Sequence, residues 1–352
     1  NSISIAPIGI YATASATGVN DNLNIIGNTV TYNGALASIG IQVGQANNCL
    51  ISQNTVDEQT SASQSPTAIS LETGFLNSSV TRNNITHALT TATGGYGGRG
   101  ITVGTGSASS NLTIANNFIS GINGSNWTGF SNSSSMGIGI GMIGNSSTIT
   151  TISGGINIYH NSVNLYGDYQ GTSTTTNKIT TALYVGSGAT ALDVKNNIFA
   201  NSINNPNAVA AAYAIYSGAA NTAFTAIDYN DYYVSGAQGV LGFIGSNRTD
   251  LAGIIAGFGQ NSSSTNSDPK FISNSDLHIN TSLTTIVEGK GTPLASVTTD
   301  IDNETRNALT PDLGADEGNF IAILGNDVQA TAFDDPINGG SKPTGIAFTP
   351  MA

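Results

Sequence analysis

One six-residue phrase recurs along this chain: an apolar residue, two variable residues, an asparagine, another variable residue and a second apolar residue. It is clearest at residues 25–30, 51–56 and 80–85. Successive asparagines are 26, 29, 34, 44, 36 and 33 residues apart, a spacing that predicts a solenoid built from one repeated unit with insertions. The seven recurring positions, which we call the repeat asparagines, are Asn28, Asn54, Asn83, Asn117, Asn161, Asn197 and Asn230.

A second apolar phrase precedes each repeat asparagine and alternates with a period of two, as at residues 39–43, 100–103 and 182–185. This alternation predicts short, half-buried strands. Two or three such strands per repeat cannot bury their apolar faces alone, so equivalent strands must stack on one another at ~4.8 Å. The sequence therefore predicts an all-β parallel β-helix. Each repeat asparagine is expected to adopt left-handed backbone angles at a bend, and the stacked copies are expected to form an amide ladder.

Phrases such as residues 196–199, which follow an apolar strand at residues 191–194, resemble those of the right-handed parallel β-helix repeat proteins. The resemblance covers residues 1 to about 320 and implies a right-handed coil, which is also the general preference of β crossovers. We expect one β-helix domain, or β-solenoid, over residues 1–318. Residues 319–352 are expected to form a short C-terminal β extension or a truncated immunoglobulin-like module.

Four phrases near the C-terminus, at residues 267–271, 275–279, 300–306 and 311–317, look like the closing segment of secreted bacterial surface proteins of the Bacteroidetes type. The resemblance implies a polar final coil that covers the open apolar end of the solenoid. Arg306 is expected to pair there with Asp312, Asp316 or Glu317. No amphipathic helix is predicted as a cap for either end.

The composition restricts the partners and the compartment of the protein. Nine Lys and Arg stand against 21 Asp and Glu, and the net charge of −12 leaves no basic patch for nucleic acid or anionic lipid. No apolar run approaches the ~20 residues of a membrane-spanning helix, so no membrane insertion is expected. Abundant Asn, Ser, Thr and Gly with few Lys and Glu are typical of secreted bacterial rods, and we expect an extracellular, secreted or cell-surface location.

Two polar loops contain candidate contact residues for a sugar or a neighbouring subunit, because exposed aromatic rings stack on such partners. The candidates are Trp127, Phe130, Tyr166 and Tyr169, and the alternative is that their rings cover the rod. No cofactor and no metal are predicted. Calcium is an alternative where hard oxygen ligands crowd into one short stretch, although the spacing departs from that of the known calcium loop. The residues of that stretch are Asp300, Asp302, Asn303 and Glu304.

The acids of the repeats are scattered, and His87, His160 and His278 fall in different phrases, so no set of catalytic residues emerges. The sequence favours a non-catalytic structural protein of the cell surface: an adhesin, a stalk or a filament subunit. Self-association end to end, or through the C-terminal strands, is expected of such a protein. The alternatives are a carbohydrate-active β-helix, either a polysaccharide lyase or a hydrolase, and a carbohydrate-binding module. Polysaccharide is the partner in both.

Overall fold

The computed structural model describes residues 1–4, 7–33, 38–61, 65–90, 97–123, 137–143, 151–168, 179–204 and 210–323. Within these ranges the chain is all-β, with three long sheets whose strands are parallel apart from one terminal strand. The predicted all-β class is therefore confirmed, and the long parallel sheets are compatible with a β-solenoid. Three contact candidates, Trp127, Phe130 and Tyr169, and residues 324–352 of the expected C-terminal extension lie outside the described residues.

Successive repeats contribute strands to the three long sheets in turn. The first sheet contains, in pairing order, Ser2–Ser4, Thr29–Asn33, Thr55–Ser61, Asn84–Ile85, Phe118–Ser120, Ser162–Leu165, Ile198–Asn201 and Asp231–Val234, with Leu89–Thr90 also paired to Thr55–Ser61. The second sheet contains Ile8–Thr13, Ile39–Gly44, Thr67–Leu71, Arg99–Val103, Gly137–Met142, Ile179–Val185, Ala211–Ser217, Gly239–Ile244 and the antiparallel Ser246–Arg248.

The third long sheet and two small sheets complete the strands of the described residues. The third sheet contains Asn24–Ile26, Leu50–Ser52, Ser79–Thr81, Leu112–Ala115, Ser153–Tyr159, Ala189–Lys195 and Phe224–Asp228. A three-stranded sheet pairs Asn20–Asp21, Ala46–Asn47 and Phe75–Leu76, and a two-stranded sheet pairs Thr284–Thr285 with Ile321–Ala322.

The sheets are aligned by chemically similar residues. Ile41, Ile69 and Ile101 are paired across three strands of the second sheet, and Val80 is paired with Ile114 in the third. These inward side chains are at most 1% exposed and belong to one continuous core. A slip of one residue would turn each apolar set towards solvent, so the apolar pattern of the sequence fixes the register.

Small residues in the second sheet allow it to pack closely against the first. A Cβ atom at Gly40 would lie 2.4 Å from Cγ1 of Val56 and 2.6 Å from the carbonyl oxygen of Ala68. A Cβ atom at Gly139 would clash with Val163 in the same way. The Ile-Gly-Ile phrases of the sequence therefore satisfy a packing requirement, since any larger side chain would separate the two sheets.

A short α-helix, α1 (Leu251–Phe258), packs on the last repeat. Asp250 caps its first turn by accepting a backbone N–H at 2.7 Å, and Gly259 ends it in the left-handed conformation, with a φ of 70°. Ile254 and Phe258 are buried in the same core as the sheets. The expectation that no helix caps the ends is wrong here, because α1 covers the apolar residues of the last repeat.

Residues 267–323, which we call the flanking segment, run back along the outer side of the first sheet. Ile198 of that sheet packs with Leu313 of the segment, and Phe118 packs with Leu277. The expectation of a polar final coil over the apolar end is therefore wrong. Helix α1 takes that place, and the C-terminal phrases cover apolar residues on the side of the first sheet.

Candidate functional site

The seven repeat asparagines form one buried, hydrogen-bonded column. Asn54 donates from its backbone N–H and from its side-chain Nδ2 to Oδ1 of Asn83, at 3.1 and 2.9 Å. Asn83 donates in the same way to Asn117, at 3.0 and 2.9 Å, and the pattern extends from Asn28 to Asn230. All seven are at most 7% exposed, so each amide takes its hydrogen bonds from the protein instead of from water.

The residue before each repeat asparagine makes the left-handed turn. Its φ lies between 50° and 65° in all seven repeats, and no repeat asparagine has a positive φ. The expectation of left-handed repeat asparagines is therefore wrong, because the turn occurs one residue earlier and leaves the asparagine free to point into the column. The seven residues at the turn, which we call the corner residues, are Gly27, Gln53, Arg82, Asn116, His160, Asn196 and Tyr229.

Four consecutive corner residues hold the flanking segment. Arg82 donates from Nη1 to a side-chain oxygen of that segment at 2.8 Å. Asn116 donates from Nδ2 to the carbonyl oxygen of Thr299 at 2.7 Å. Asn196 donates to the carbonyl oxygen of Thr292 at 2.7 Å and accepts from its N–H at 2.9 Å. The sequence does not reveal this row, since its members differ in residue type from one repeat to the next.

The fourth of these corner residues, His160, is fully buried. Its Nδ1 lies 3.3 Å from the carbonyl oxygen of Gly314, which can only accept, so the proton is on Nδ1. Nε2 then accepts from Nδ2 of Asn196 at 2.8 Å. Burial and the neighbouring Arg306 guanidinium lower the pKa of His160 well below its ordinary value. The imidazole is therefore a neutral bridge between the flanking segment and the next corner residue, Asn196.

Arg306 forms a buried ion pair within the flanking segment. Its Nη1 lies 2.9 Å from Oε2 of Glu317, and the two side chains are 3% and 8% exposed. Its Nη2 donates to Oδ1 of Asn116 at 2.8 Å and to the carbonyl oxygen of Gly314 at 2.9 Å. The expected pairing of Arg306 with an acidic residue of this segment is confirmed for Glu317, and the same guanidinium also fastens the segment to a corner residue.

In the stretch considered for calcium, the side-chain oxygens contact several different partners. Asp300 accepts the backbone N–H groups of Asp302 and Glu304 at Oδ1, at 3.0 and 2.7 Å, and burial raises its pKa. Oδ2 of Asp302 lies 2.8 Å from a histidine ring nitrogen. Oδ1 of Asn303 accepts the 2.8 Å bond from Arg82. Asp300 thus orders its own loop, and calcium binding by this stretch stays an alternative to the prediction of no metal.

Tyr166, the contact candidate that the structure describes, belongs to a chain of hydrogen-bonded side chains. Its hydroxyl lies 3.4 Å from Nε2 of His87, and Nδ1 of His87 lies 2.9 Å from Oδ1 of Asp57. Burial and the Asp57 carboxylate raise the pKa of Tyr166. Such a chain can pass a proton between a phenol and a carboxylate. The sequence did not single out Asp57 or His87 because the three residues belong to different repeats.

A cavity of about 530 Å³ opens between the first sheet and the flanking segment. Its lining includes Ser202, Tyr233, Asp268 and Asn274. Asp268 pairs with Lys270 at 2.9 Å. The cavity therefore offers hydroxyl and amide groups that can bind water or a sugar, together with one carboxylate already in an ion pair.

Asp231 is a buried carboxylate at the junction of the first sheet and the flanking segment. Its Oδ1 accepts from the hydroxyl of Thr265 at 2.7 Å and from the N–H of Ser267 at 3.1 Å. Its Oδ2 has no hydrogen-bond partner in the part of the chain that the structure describes. Burial raises the pKa of Asp231 to about 7, although the two hydrogen bonds oppose this shift.

Replacing Asp231 by asparagine is expected to remove part of the pH dependence of stability. The pKa of Asp231 is about 7 in the folded state against an ordinary value of 3.8, so the folded state binds more protons between these values and stability falls as the pH rises. Linkage gives a loss of roughly 2 kcal/mol between about pH 5 and pH 7 in the native protein. Urea unfolding of both proteins at the two pH values measures this, and an equal pH dependence would contradict the assignment.

Among the described residues, no helix combines the length and the hydrophobicity needed to span a bilayer. No protein-family model, curated protein or solved structure matches the chain. The function is therefore inferred from residues and geometry: a buried asparagine column, a row of corner residues that holds the flanking segment, and one surface chain of titratable groups.

Proposed function

We propose that this protein is a non-catalytic extracellular structural protein, an adhesin, stalk or filament subunit of the cell surface, built on a right-handed parallel β-helix. Each complete turn of the helix would supply one strand to each long sheet. The eight parallel strands of the second sheet, at a spacing of ~4.8 Å, then correspond to a shaft about 40 Å long. The observation that carries this proposal is the uninterrupted column of the seven repeat asparagines.

The column supports a mechanical role because it joins every repeat to the next by the same two buried hydrogen bonds. Between Asn117 and Asn161 they measure 3.1 and 2.9 Å, although 44 residues separate the two asparagines. The long insertion thus leaves the spacing of the column unchanged. Because the column keeps the same hydrogen bonds whatever the length of the loops, the shaft has a constant width and the loops can differ in length and sequence.

The engagement of two buried carboxylates of the flanking segment supports a non-catalytic role. Asp312 accepts the backbone N–H groups of Gly289 and Gly318, at 2.7 and 3.0 Å, and burial raises its pKa to about 7. Glu317 pairs with Arg306 and accepts a further N–H from Asn307 at 2.8 Å. A general acid or base must instead present its carboxyl group to a substrate.

The proposal includes a secreted or cell-surface location and self-association, end to end or through the C-terminal strands. A heterologous contact of this kind generates an open fibre when its rotation does not close. The support for the location is compositional, since abundant Asn, Ser, Thr and Gly with few Lys and Glu are typical of secreted bacterial rods. No cofactor is part of the proposal, and calcium at the stretch of residues 300–304 is its alternative.

A carbohydrate-active β-helix, a lyase or a hydrolase, is the second candidate, and the chain from Asp57 through His87 to Tyr166 favours it. In a lyase the imidazole would take the proton beside the uronate carboxyl group and the phenol would protonate the leaving oxygen. His87 is 40% exposed on its side chain, within reach of a polymer. A carbohydrate-binding module would use the same surface without chemistry.

We expect no new unsaturated or reducing ends after incubation of the protein with a panel of neutral and acidic polysaccharides. Negative-stain electron microscopy of the same material is expected to show rods of constant width, or fibres made of them. Cleavage that disappears in Tyr166→Phe and persists in Tyr11→Phe, which changes a tyrosine that is 59% exposed, would overturn the structural proposal in favour of the enzyme.

A further inference from the structure

We propose that His278, Asp302 and Asp316 form a binding site for a divalent first-row transition metal such as Zn²⁺. The three residues come from three different turns of the flanking segment. One potential ligand atom from each lies within 4.8 Å of the others. The site is independent of the proposed structural function, since it involves neither the asparagine column nor the chain that ends at Tyr166.

The separation of the ligand atoms suits a single ion after a small adjustment. Around a tetrahedral Zn²⁺ the ligand atoms lie ~3.4 Å apart, given bond lengths of about 2.1 Å. Nε2 of His278 is already 2.8 Å from Oδ2 of Asp302, and the side chain of Asp302 is 55% exposed, so it can rotate to admit the ion. Asp316 is 7% exposed, and its Oδ2 accepts the N–H of Ile279 at 2.7 Å, which fixes the carboxylate.

The imidazole of His278 is held in the orientation that a metal ligand requires. Its Nδ1 contacts Oδ1 of Asp276 at 2.5 Å, and the edge-to-face ring of Phe118 lies 4.8 Å away, centroid to centroid. A carboxylate on one ring nitrogen orients the other towards the metal and makes it a better donor. Asp276 is thus a positioning residue, and Nε2 is the nitrogen that faces Asp302.

The local charge favours a cation. Residues 267–317 contain nine acidic residues and three Lys or Arg, a net charge of 3 − 9 = −6, which is half of the −12 of the whole chain. Of the three basic residues, Arg306 is already paired with Glu317 and Lys270 with Asp268. Such a field raises the local concentration of cations.

The ligand types select among the cations. Imidazole nitrogen with two carboxylate oxygens suits Zn²⁺ and its neighbours, whereas Ca²⁺ prefers a shell of oxygens alone. Three protein ligands leave room for water in the coordination shell. Bound there, the ion would join the turns that carry residues 278, 302 and 316 and so stiffen the flanking segment.

The test is calorimetric titration of Zn²⁺ into the full, chelator-treated chain at about pH 8, where protons compete less with the metal for the imidazole. We expect saturable binding of one ion per chain. His278→Gln and Asp316→Asn are each expected to weaken the affinity at least ~10-fold. Circular dichroism of each variant checks that the sheets are intact, and the visible d–d absorption of Co²⁺ in place of Zn²⁺ reports the coordination number of the bound ion.

The matched control is His87→Gln, which removes a surface histidine that is paired with a single carboxylate, Asp57, at 2.9 Å. It is expected to leave the affinity within about twofold of the native value, because it alters none of the three ligands. The proposal is overturned by the absence of saturable binding, by equal affinities of the native and His278→Gln proteins, or by an equal loss in His87→Gln. Binding of Ca²⁺ as tight as that of Zn²⁺ would also overturn it.

Discussion

Replacing Asn83 by alanine is expected to lower the free energy of unfolding by about 3–5 kcal/mol, since each buried donor left without a partner costs about 1–3 kcal/mol. The backbone N–H and the Nδ2 of Asn54 would both lose the Oδ1 atom that they share, at 3.1 and 2.9 Å. The bonds from Nδ2 of Asn83 to the carbonyl oxygen of Ile51 and to Asn117, at 3.0 and 2.9 Å, would disappear as well.

The adjacent residue supplies the control. Asn84 is exposed on a strand of the first sheet, so Asn84→Ala is expected to change stability by less than ~1 kcal/mol. Urea unfolding followed by circular dichroism measures both variants. Similar losses for the two would mean that the asparagine column contributes little, and the main support for a mechanical shaft would be lost.

A second large loss of stability is expected when Arg306 is replaced. Arg306→Met removes a guanidinium that is 3% exposed and leaves the Glu317 carboxylate buried without its cation, a loss that costs about 3–5 kcal/mol. The 2.8 Å hydrogen bond from Arg306 to Asn116 is lost as well. Because these contacts fasten the flanking segment, its amide hydrogens should exchange faster while those of the three long sheets stay protected.

Lys270→Met is the corresponding control for charge removal. Lys270 and Asp268 lie 2.9 Å apart, but their side chains are 36% and 43% exposed, and such a pair contributes less than ~1 kcal/mol. Hydrogen exchange with mass spectrometry separates the two variants. Equal protection of the flanking segment in Arg306→Met and in the native protein would show that the buried ion pair does not hold it in place.

The parts of the fold that depend on repetition can be predicted from the sequence. Apolar residues such as Ile51 and Val80 recur in every repeat, so parallel pairing and its register follow from pattern alone. Helix α1 occurs once and escapes a search for repeats, although Asp250 and Gly259 are ordinary signals of its start and end. The flanking segment has recognisable phrases, but whether they cover the last repeat or the side of the first sheet depends on the position of α1.

The candidate sites are less predictable because they combine residues from distant parts of the chain. Asp57 and Tyr166 are more than a hundred residues apart, and they meet on either side of His87 because the repeats that carry them are stacked. The proposed metal ligand His278 and its neighbour Asp302 come together through the path of the flanking segment, which no repeat pattern reveals. Corner residues differ in type, so the row that they form is visible only once the repeats have been stacked.

The contacts of the corner residues also determine how the repeats come apart. In a stack where each unit touches only its neighbours, the units can fray from an end one at a time. Arg82, Asn116 and Asn196 belong to the third, fourth and sixth repeats, yet all three are bonded to one stretch of chain, residues 292–303. The middle of the molecule must therefore open as a single cooperative block, which leaves the first two repeats as the part that can loosen by itself.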